Sequence, residues 1–148
     1  MPMPSVPVWK SYQRISLETA PPGKLVLMLY DGALKFLDLA ILGFNSEDPL
    51  DRNEKIHNNV VKTQNILHEL NATLDFEKGG ELAQTLRDLY LYCLDRLREG
   101  NLKKEVTVLV EARNRINTLR DAWNEMLGQQ ANEALQASGV GSLNLTDE

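Results

Sequence analysis

The sequence of 148 residues is 43% hydrophobic and 25% charged, which places it among ordinary globular domains that can bury a core. A formal net charge of −5 and scattered Lys and Arg residues argue against binding to nucleic acid or an anionic membrane, and we expect neither partner. The single cysteine, Cys93, excludes an internal disulfide and a cysteine-based zinc site.

Residues 1–8 lack the basic start and the apolar stretch of a signal peptide. The longest apolar run, Leu25 to Tyr30, has six residues, whereas a membrane-spanning helix needs about 20. We therefore expect a cytoplasmic protein without membrane insertion. Cys93 lies among leucines and a tyrosine, so it is predicted to be a buried thiol of the core rather than a nucleophile.

The first predicted helix runs from about Pro22 to Leu42. A proline is favoured in the first helical turn, because its missing N–H costs no hydrogen bond there. Pro21 occupies the position of a capping Ser or Asp, so we expect a weak start. A turn is predicted over residues 43–48.

The second predicted helix runs from about Pro49 to Leu74, with Asp48 as its N-cap. Its apolar stripe follows a spacing of four and three residues, and Thr63 fills the one polar position. The stripe consists of Ile56, Val60, Leu67, Leu70 and Leu74. Residues 75–80 end in two glycines and are predicted to break this helix.

The third predicted helix runs from about Glu81 to Glu99, and a left-handed Gly100-Asn101 pair is expected to end it. The fourth runs from about Leu102 to Leu127. Both have apolar stripes at helical spacing, and no segment of useful length alternates as a half-buried strand does.

Four helices of about twenty residues joined by short turns must lie antiparallel to their neighbours. We therefore predict an all-α fold, an antiparallel up-down four-helix bundle over residues 22–127. Residues 1–21 are predicted to be a short N-terminal capping segment, and residues 128–148 a flexible, disordered C-terminal tail. The capping segment contains Trp9, Tyr12, Ile15 and Leu17 in a short, weakly helical stretch.

The run from Leu25 to Tyr30 surrounds the first helix, because successive residues lie about 100° apart. A bundle helix needs an apolar stripe only somewhat wider than 100°, so something must cover the remaining side chains. The capping segment is one such cover, and a longer apolar helix of a partner could displace so short a flap. Alternatively, the first helix is packed on every side and the capping segment is a permanent fifth element. The pattern leaves both interpretations open.

The sequence lacks the cluster of reactive groups that an enzyme needs. His57 and His68 are about 16 Å apart along one helix, too far to share a metal ion. Glu54 and His57 have the Glu-x-x-His spacing of di-iron bundles, but no second copy exists. A phosphotransfer histidine is the better chemical alternative, although neither histidine has a suitable basic neighbour. We predict no catalytic activity, no cofactor and no metal site.

Several stretches between about residues 10 and 127 match one family in the same order and at matching spacing. They are Tyr12-Gln13, Thr19–Gly32 (TAPPGKLVLMLYDG), Lys62–Leu74 (KTQNILHELNATL), Gly80–Ala83 (GELA), Leu89–Tyr92 (LYLY), Arg96-Leu97 and Leu119–Trp123 (LRDAW). Together they resemble the flagellar secretion chaperone family, FliS.

The resemblance implies a mainly four-helix bundle that binds the disordered C-terminal region of flagellin in hydrophobic grooves. It implies that the chaperone prevents premature polymerisation in the cytoplasm and supports delivery of flagellin to a component of the flagellar type III export gate. A regulator of flagellar assembly is a second candidate partner. Whether the free protein is a monomer or a homodimer stays open.

The resemblance also implies site residues. By motif position, Tyr12 would be the aromatic residue of the N-terminal cap, with Ile15 beside it. The groove walls and ligand contacts would come from Leu25, Met28, Leu29 and Tyr30 of the first helix and from Gln64, Asn65, Leu67, Leu70 and Asn71 of the second. The Gln and Asn residues could equally join helices within the bundle. Pro21 departs from the serine that the family favours, which removes a capping hydroxyl at a cost of about 1 kcal/mol.

Overall fold

The computed structural model describes residues 22–137, which form four helices joined by short turns. The helices are α1 (Pro22–Gly43), α2 (Pro49–Ala72), α3 (Phe76–Lys103) and α4 (Val106–Ala137). No strand occurs within this range. The predictions for the capping segment, including Tyr12 and Ile15, and for the tail after residue 137 lie outside the described residues.

The four helices form a ring in which each packs on its neighbour in the chain and α4 packs back on α1. Two ion pairs fix the direction of α4 against α1. Arg120 Nε lies 2.8 Å from Asp31 Oδ1, and Arg113 Nε lies 2.9 Å from Asp38 Oδ1. The later residue of α4 thus pairs with the earlier residue of α1, so the two helices are antiparallel. The predicted antiparallel up-down bundle is confirmed. Over residues 22–137, no helix is both long and apolar enough to cross a bilayer.

The run at the start of α1 is largely enclosed. Leu27, Leu29 and Tyr30 are buried, whereas Leu25, Val26 and Met28 are half-buried. The inner face of the helix continues into the core through Ala33, Leu34, Phe36, Leu37 and Ala40. None of the six residues is exposed, so the run contributes apolar surface that is only partly accessible, at Leu25, Val26 and Met28.

The start of α2 follows the prediction, whereas α3 begins earlier than predicted. Asp48 Oδ2 accepts a hydrogen bond from the Asp51 N–H at 3.1 Å and caps α2. Asp75 plays the same part for α3, because its carboxylate accepts from the N–H groups of Glu77 and Lys78. This cap starts the helix at Phe76 rather than at the predicted Glu81. Gly80 has φ of 50° and ψ of −123°, so the predicted break is a kink inside α3.

The predicted helix stop at Gly100-Asn101 is wrong. Both residues are helical, and the left-handed residue is Lys104, with φ of 52° and ψ of 52°. Gly100 is instead a packing residue, since a Cβ placed on it would lie 2.7 Å from Leu109 Cδ2 of α4. Helix α4 correspondingly starts at Val106 and continues past the predicted end at Leu127 to Ala137.

The buried hydroxyl groups of Tyr30, Tyr90 and Thr63 are hydrogen-bonded. The hydroxyl oxygens of Tyr30 and Tyr90 are 2.5 Å apart, and Thr63 Oγ1 donates to the carbonyl of Asn59 at 2.9 Å. Cys93 is 1% exposed, which confirms its prediction as a core thiol. Burial raises the pKa of Cys93 to about 11, and burial also raises the pKa values of Tyr30 and Tyr90.

These raised pKa values predict a loss of stability in alkali. Unfolded Cys93 ionises near pH 9, whereas the folded thiol stays neutral until about pH 11. The neutral Cys93 thiol therefore contributes its full stabilisation of the folded protein below about pH 9. This contribution is lost as the pH rises towards 11, at about 1.4 kcal/mol per pH unit. The tyrosines act in the same direction from about pH 10. Urea unfolding at about pH 8 and pH 10.5 should show this fall, and Cys93→Ala should reduce it. Equal stability at both pH values would contradict the prediction.

Candidate functional site

Within the part of the chain that the structure describes, one end of the bundle is open. The start of α1, the α2–α3 turn, the start of α3 and the later part of α4 surround a cavity of about 580 Å³, called here the end cavity. Its lining residues are Val26, Thr73, Leu74, Asp75, Lys78, Gly79, Leu82, Ala83, Leu86, Tyr90, Trp123 and Gln130. The volume is within the range of roughly 300–1,000 Å³ that is typical of ligand sites.

Within residues 22–137, Leu82 is the clearest sign that the end cavity is not fully covered. It precedes Leu86 by one helical turn and therefore lies on the face of α3 that is turned towards the core. Farther along that face, Tyr90 and Leu97 are at most 1% exposed, yet Leu82 is 60% exposed. Phe76, at the start of the same helix, is 48% exposed. The inner face of α3 thus ends in apolar side chains that solvent reaches.

The opposite wall is held by contacts between α1 and α4. Trp123 Nε1 donates to the carbonyl of Gly23 at 2.9 Å. A Cβ on Gly23 would lie only 2.6 Å from Leu127 Cδ2, so the glycine lets the two helices approach closely. This arrangement fixes the indole at the edge of the cavity, beside Val26.

The charged residues of the end cavity lie at the α2–α3 turn, and the walls are mainly apolar. Asp75 uses its carboxylate as the cap of α3, and Lys78 follows it in the first turn. No group of three or more His, Cys, Asp or Glu side chains within residues 22–137 could hold a metal ion. The arrangement is suited to holding apolar side chains of a ligand rather than to catalysing a reaction.

The residues expected from motif position fall into two groups. Four of them are core residues with exposures of 4% or less, namely Leu29, Tyr30, Leu67 and Leu70. Five others are accessible in part: Leu25, Met28, Gln64 and Asn71 are half-buried, and Asn65 is exposed. The first group is brought together in one cluster, and its Tyr30 contacts the cavity-lining Tyr90.

Asn71 has an unusual environment at the end of α2. Its Oδ1 atom is buried and lacks a hydrogen-bond partner in the part of the chain that the structure describes. A buried amide oxygen without a partner costs about 1–3 kcal/mol. Because this atom is closed to solvent, the cost does not indicate contact with a ligand, and the contact proposed for Asn71 rests on its motif position.

Sequence reasoning missed the residues that line the end cavity. Leu82, Leu86 and Trp123 lie on the apolar stripes of their helices, and the spacing of these stripes gives no sign that the enclosing helices end nearby. A second, smaller cavity of about 450 Å³ lies at the other end of the bundle, between α1 and α2. Its lining includes Leu39 and Leu42 but also several polar side chains.

Comparison with known proteins gives the family. The family model described as Flagellar protein FliS matches residues 7–131. The chain is 35% identical to the flagellar secretion chaperone FliS of Bacillus subtilis (strain 168) over 132 residues, which are 89% of this chain and 95% of that protein. It is 34% identical to the flagellar secretion chaperone FliS of Salmonella typhimurium over 122 residues, which are 79% of this chain and 87% of that protein. The resemblance found in the motifs is confirmed, and the chain belongs to the FliS family of flagellar proteins.

Proposed function

We propose that this protein is a cytoplasmic flagellar export chaperone that binds the C-terminal region of flagellin. Binding prevents premature polymerisation of flagellin and supports its delivery to the flagellar type III export gate. The proposal is supported by the family, whose relatives are named secretion chaperones and are not enzymes, in agreement with the sequence prediction.

The observation that carries the proposal is the end cavity, where Leu82 lies on the inner face of α3 but remains 60% exposed. Fully burying one large apolar side chain contributes roughly 1.5–3 kcal/mol. A few such side chains from an amphipathic flagellin segment outweigh the few kcal/mol needed to order that segment as a helix. Binding of this kind needs no nucleotide, because a competing contact at the export gate would release the ligand.

The motif residues have two roles in this proposal. Leu25, Met28, Gln64, Asn65 and Asn71 contact flagellin directly, since their side chains are accessible in part. The four core residues support the walls from behind, and Tyr12 and Ile15 belong to a cap that flagellin displaces. A component of the export gate and a flagellar assembly regulator are further proposed partners.

The proposed function is tested by pulling down partners from a motile cell extract and then titrating the full chain with a synthetic C-terminal flagellin peptide. We expect flagellin in the pull-down and saturable 1:1 binding, with the peptide gaining helical circular dichroism. A matched peptide with its apolar positions changed to Ser should not bind. Recovery of many unrelated helical proteins without flagellin would instead indicate a general helix-binding module.

A further inference from the structure

Tyr30 and Tyr90 link two helices whose backbones stay apart. Tyr30 belongs to α1 and Tyr90 to α3, which lie diagonally across the ring. Within residues 22–137, no Cα atom of α1 lies within 8 Å of a Cα atom of α3. The two hydroxyl oxygens nevertheless meet at 2.5 Å, and the ring centroids are 6.4 Å apart. The pair therefore crosses the centre of the bundle.

The tyrosine pair lies directly below the end cavity. Tyr90 is one of the lining residues, and Leu86, one turn earlier in α3, is another. On α1, Val26 lines the cavity one turn before Tyr30. Beyond the pair the bundle is closed, since Cys93 and Leu97 are at most 1% exposed. The hydrogen bond thus lies at the boundary between the open end and the closed core.

The chemistry of the pair favours one separation of the two helices. Each tyrosine is 1% exposed, so a hydroxyl that lost its partner would be buried without a hydrogen bond to water. Any movement of α1 away from α3 at this level breaks the bond and leaves both hydroxyls in that state. The pair consequently opposes widening or narrowing of the cavity above it.

We propose that the Tyr30–Tyr90 hydrogen bond positions α1 and α3 so that the end cavity has the width that a flagellin segment fits. Both tyrosines are positioning residues for ligand binding, acting through Val26 and Leu86 above them. This inference rests on the proposed function and adds a determinant of affinity that the motif residues do not provide.

The test compares Tyr30→Phe, Tyr90→Phe and the double variant in a titration with the C-terminal flagellin peptide. Each single change leaves one buried hydroxyl without its partner, and we expect peptide affinity to fall about five- to tenfold. The double variant lacks the bond as well, so its affinity should fall by a similar factor, whereas its thermal midpoint should return towards wild type because replacing both partners of a hydrogen bond is nearly neutral for stability. All titrations are run well below the lowest thermal midpoint of the set.

Two further measurements do not need flagellin. In a Trp9→Phe background, Trp123 is the remaining tryptophan, and its quenching by acrylamide reports on the cavity wall. The lone thiol of Cys93, three residues after Tyr90, reports on opening below the cavity through its rate of labelling by a disulfide reagent. We expect both signals to rise at least threefold in the single variants and in the double variant, because all three lack the bond.

The outcomes separate the two proposals. If the wild-type protein does not bind the flagellin peptide, the proposed function fails, and Trp123 quenching and Cys93 labelling still decide the positioning proposal. If the single variants only lower the thermal midpoint and leave affinity, quenching and labelling unchanged, the pair has a purely structural role and the inference is overturned. Wild-type affinity, quenching and labelling in the double variant would overturn it as well, because the end cavity would then keep its width without the bond.

Discussion

Replacing Leu82 with glutamate is expected to abolish binding of the flagellin peptide while the helical circular dichroism spectrum and thermal midpoint stay close to wild type. Leu82 is 60% exposed in the free protein, so a carboxylate there remains hydrated and costs little stability. On binding, the same carboxylate would be enclosed among apolar groups of the ligand and the cavity. Losing the leucine contact and desolvating a charge together should weaken binding at least a hundredfold, or about 3 kcal/mol.

The matched control is Leu102→Glu on the same helix. Leu102 is 74% exposed at the far end of the bundle, so this change introduces the same charge away from the end cavity. Its affinity for the peptide should stay within about twofold of wild type by isothermal titration calorimetry. If both variants lose binding equally, net charge rather than the cavity governs the interaction, and the assignment of the site is wrong.

Replacing Leu29 with aspartate is expected to unfold the bundle. Leu29 is 4% exposed within the main core cluster, so the new carboxylate would be buried without a partner. Burying an unpaired charge and losing the leucine contacts cost several kcal/mol, a large part of the 5–15 kcal/mol by which a domain is typically stable. We expect loss of the cooperative thermal transition, or a fall in its midpoint of more than about 15 °C, by circular dichroism.

Leu39→Asp on the same helix is the control, because Leu39 is 41% exposed. Its free energy of unfolding should remain within about 1 kcal/mol of wild type. A stably folded Leu29→Asp variant that had lost flagellin binding would show that Leu29 contacts the ligand and is not a core residue.

The helices could be predicted from the sequence because the spacing of apolar residues follows directly from which face is buried. The stripe of α2 is an example, since Ile56, Val60 and Leu67 are all fully buried, as is Thr63. The start of α3 was misjudged for a local reason. Two glycines suggested a loop up to residue 80, but the Asp75 carboxylate caps a helical turn before the Gly80 kink.

The cavity could not be predicted in the same way. Leu82 and Trp123 occupy stripe positions that a sequence cannot distinguish from closed core, because exposure there depends on where the facing helices end in space. The motif from Leu25 to Tyr30 shows the opposite error, in which core residues are expected to be accessible. Its residues suggested a groove wall because the run surrounds the helix, yet Leu29 and Tyr30 lie in the core. The family motifs therefore indicated the chaperone class more reliably than they indicated which residues of the site are exposed.

Because the bundle has an even number of antiparallel helices, Pro22 and Gln130 both lie at the end that carries the cavity, and α4 continues beyond it to Ala137. A client segment fused genetically to either flank through a short Gly/Ser linker would meet the opening intramolecularly, at an effective concentration in the millimolar range. Single-chain chaperone–client fusions can thus be built from both flanks, and a bulky purification tag on either one would crowd the same entrance.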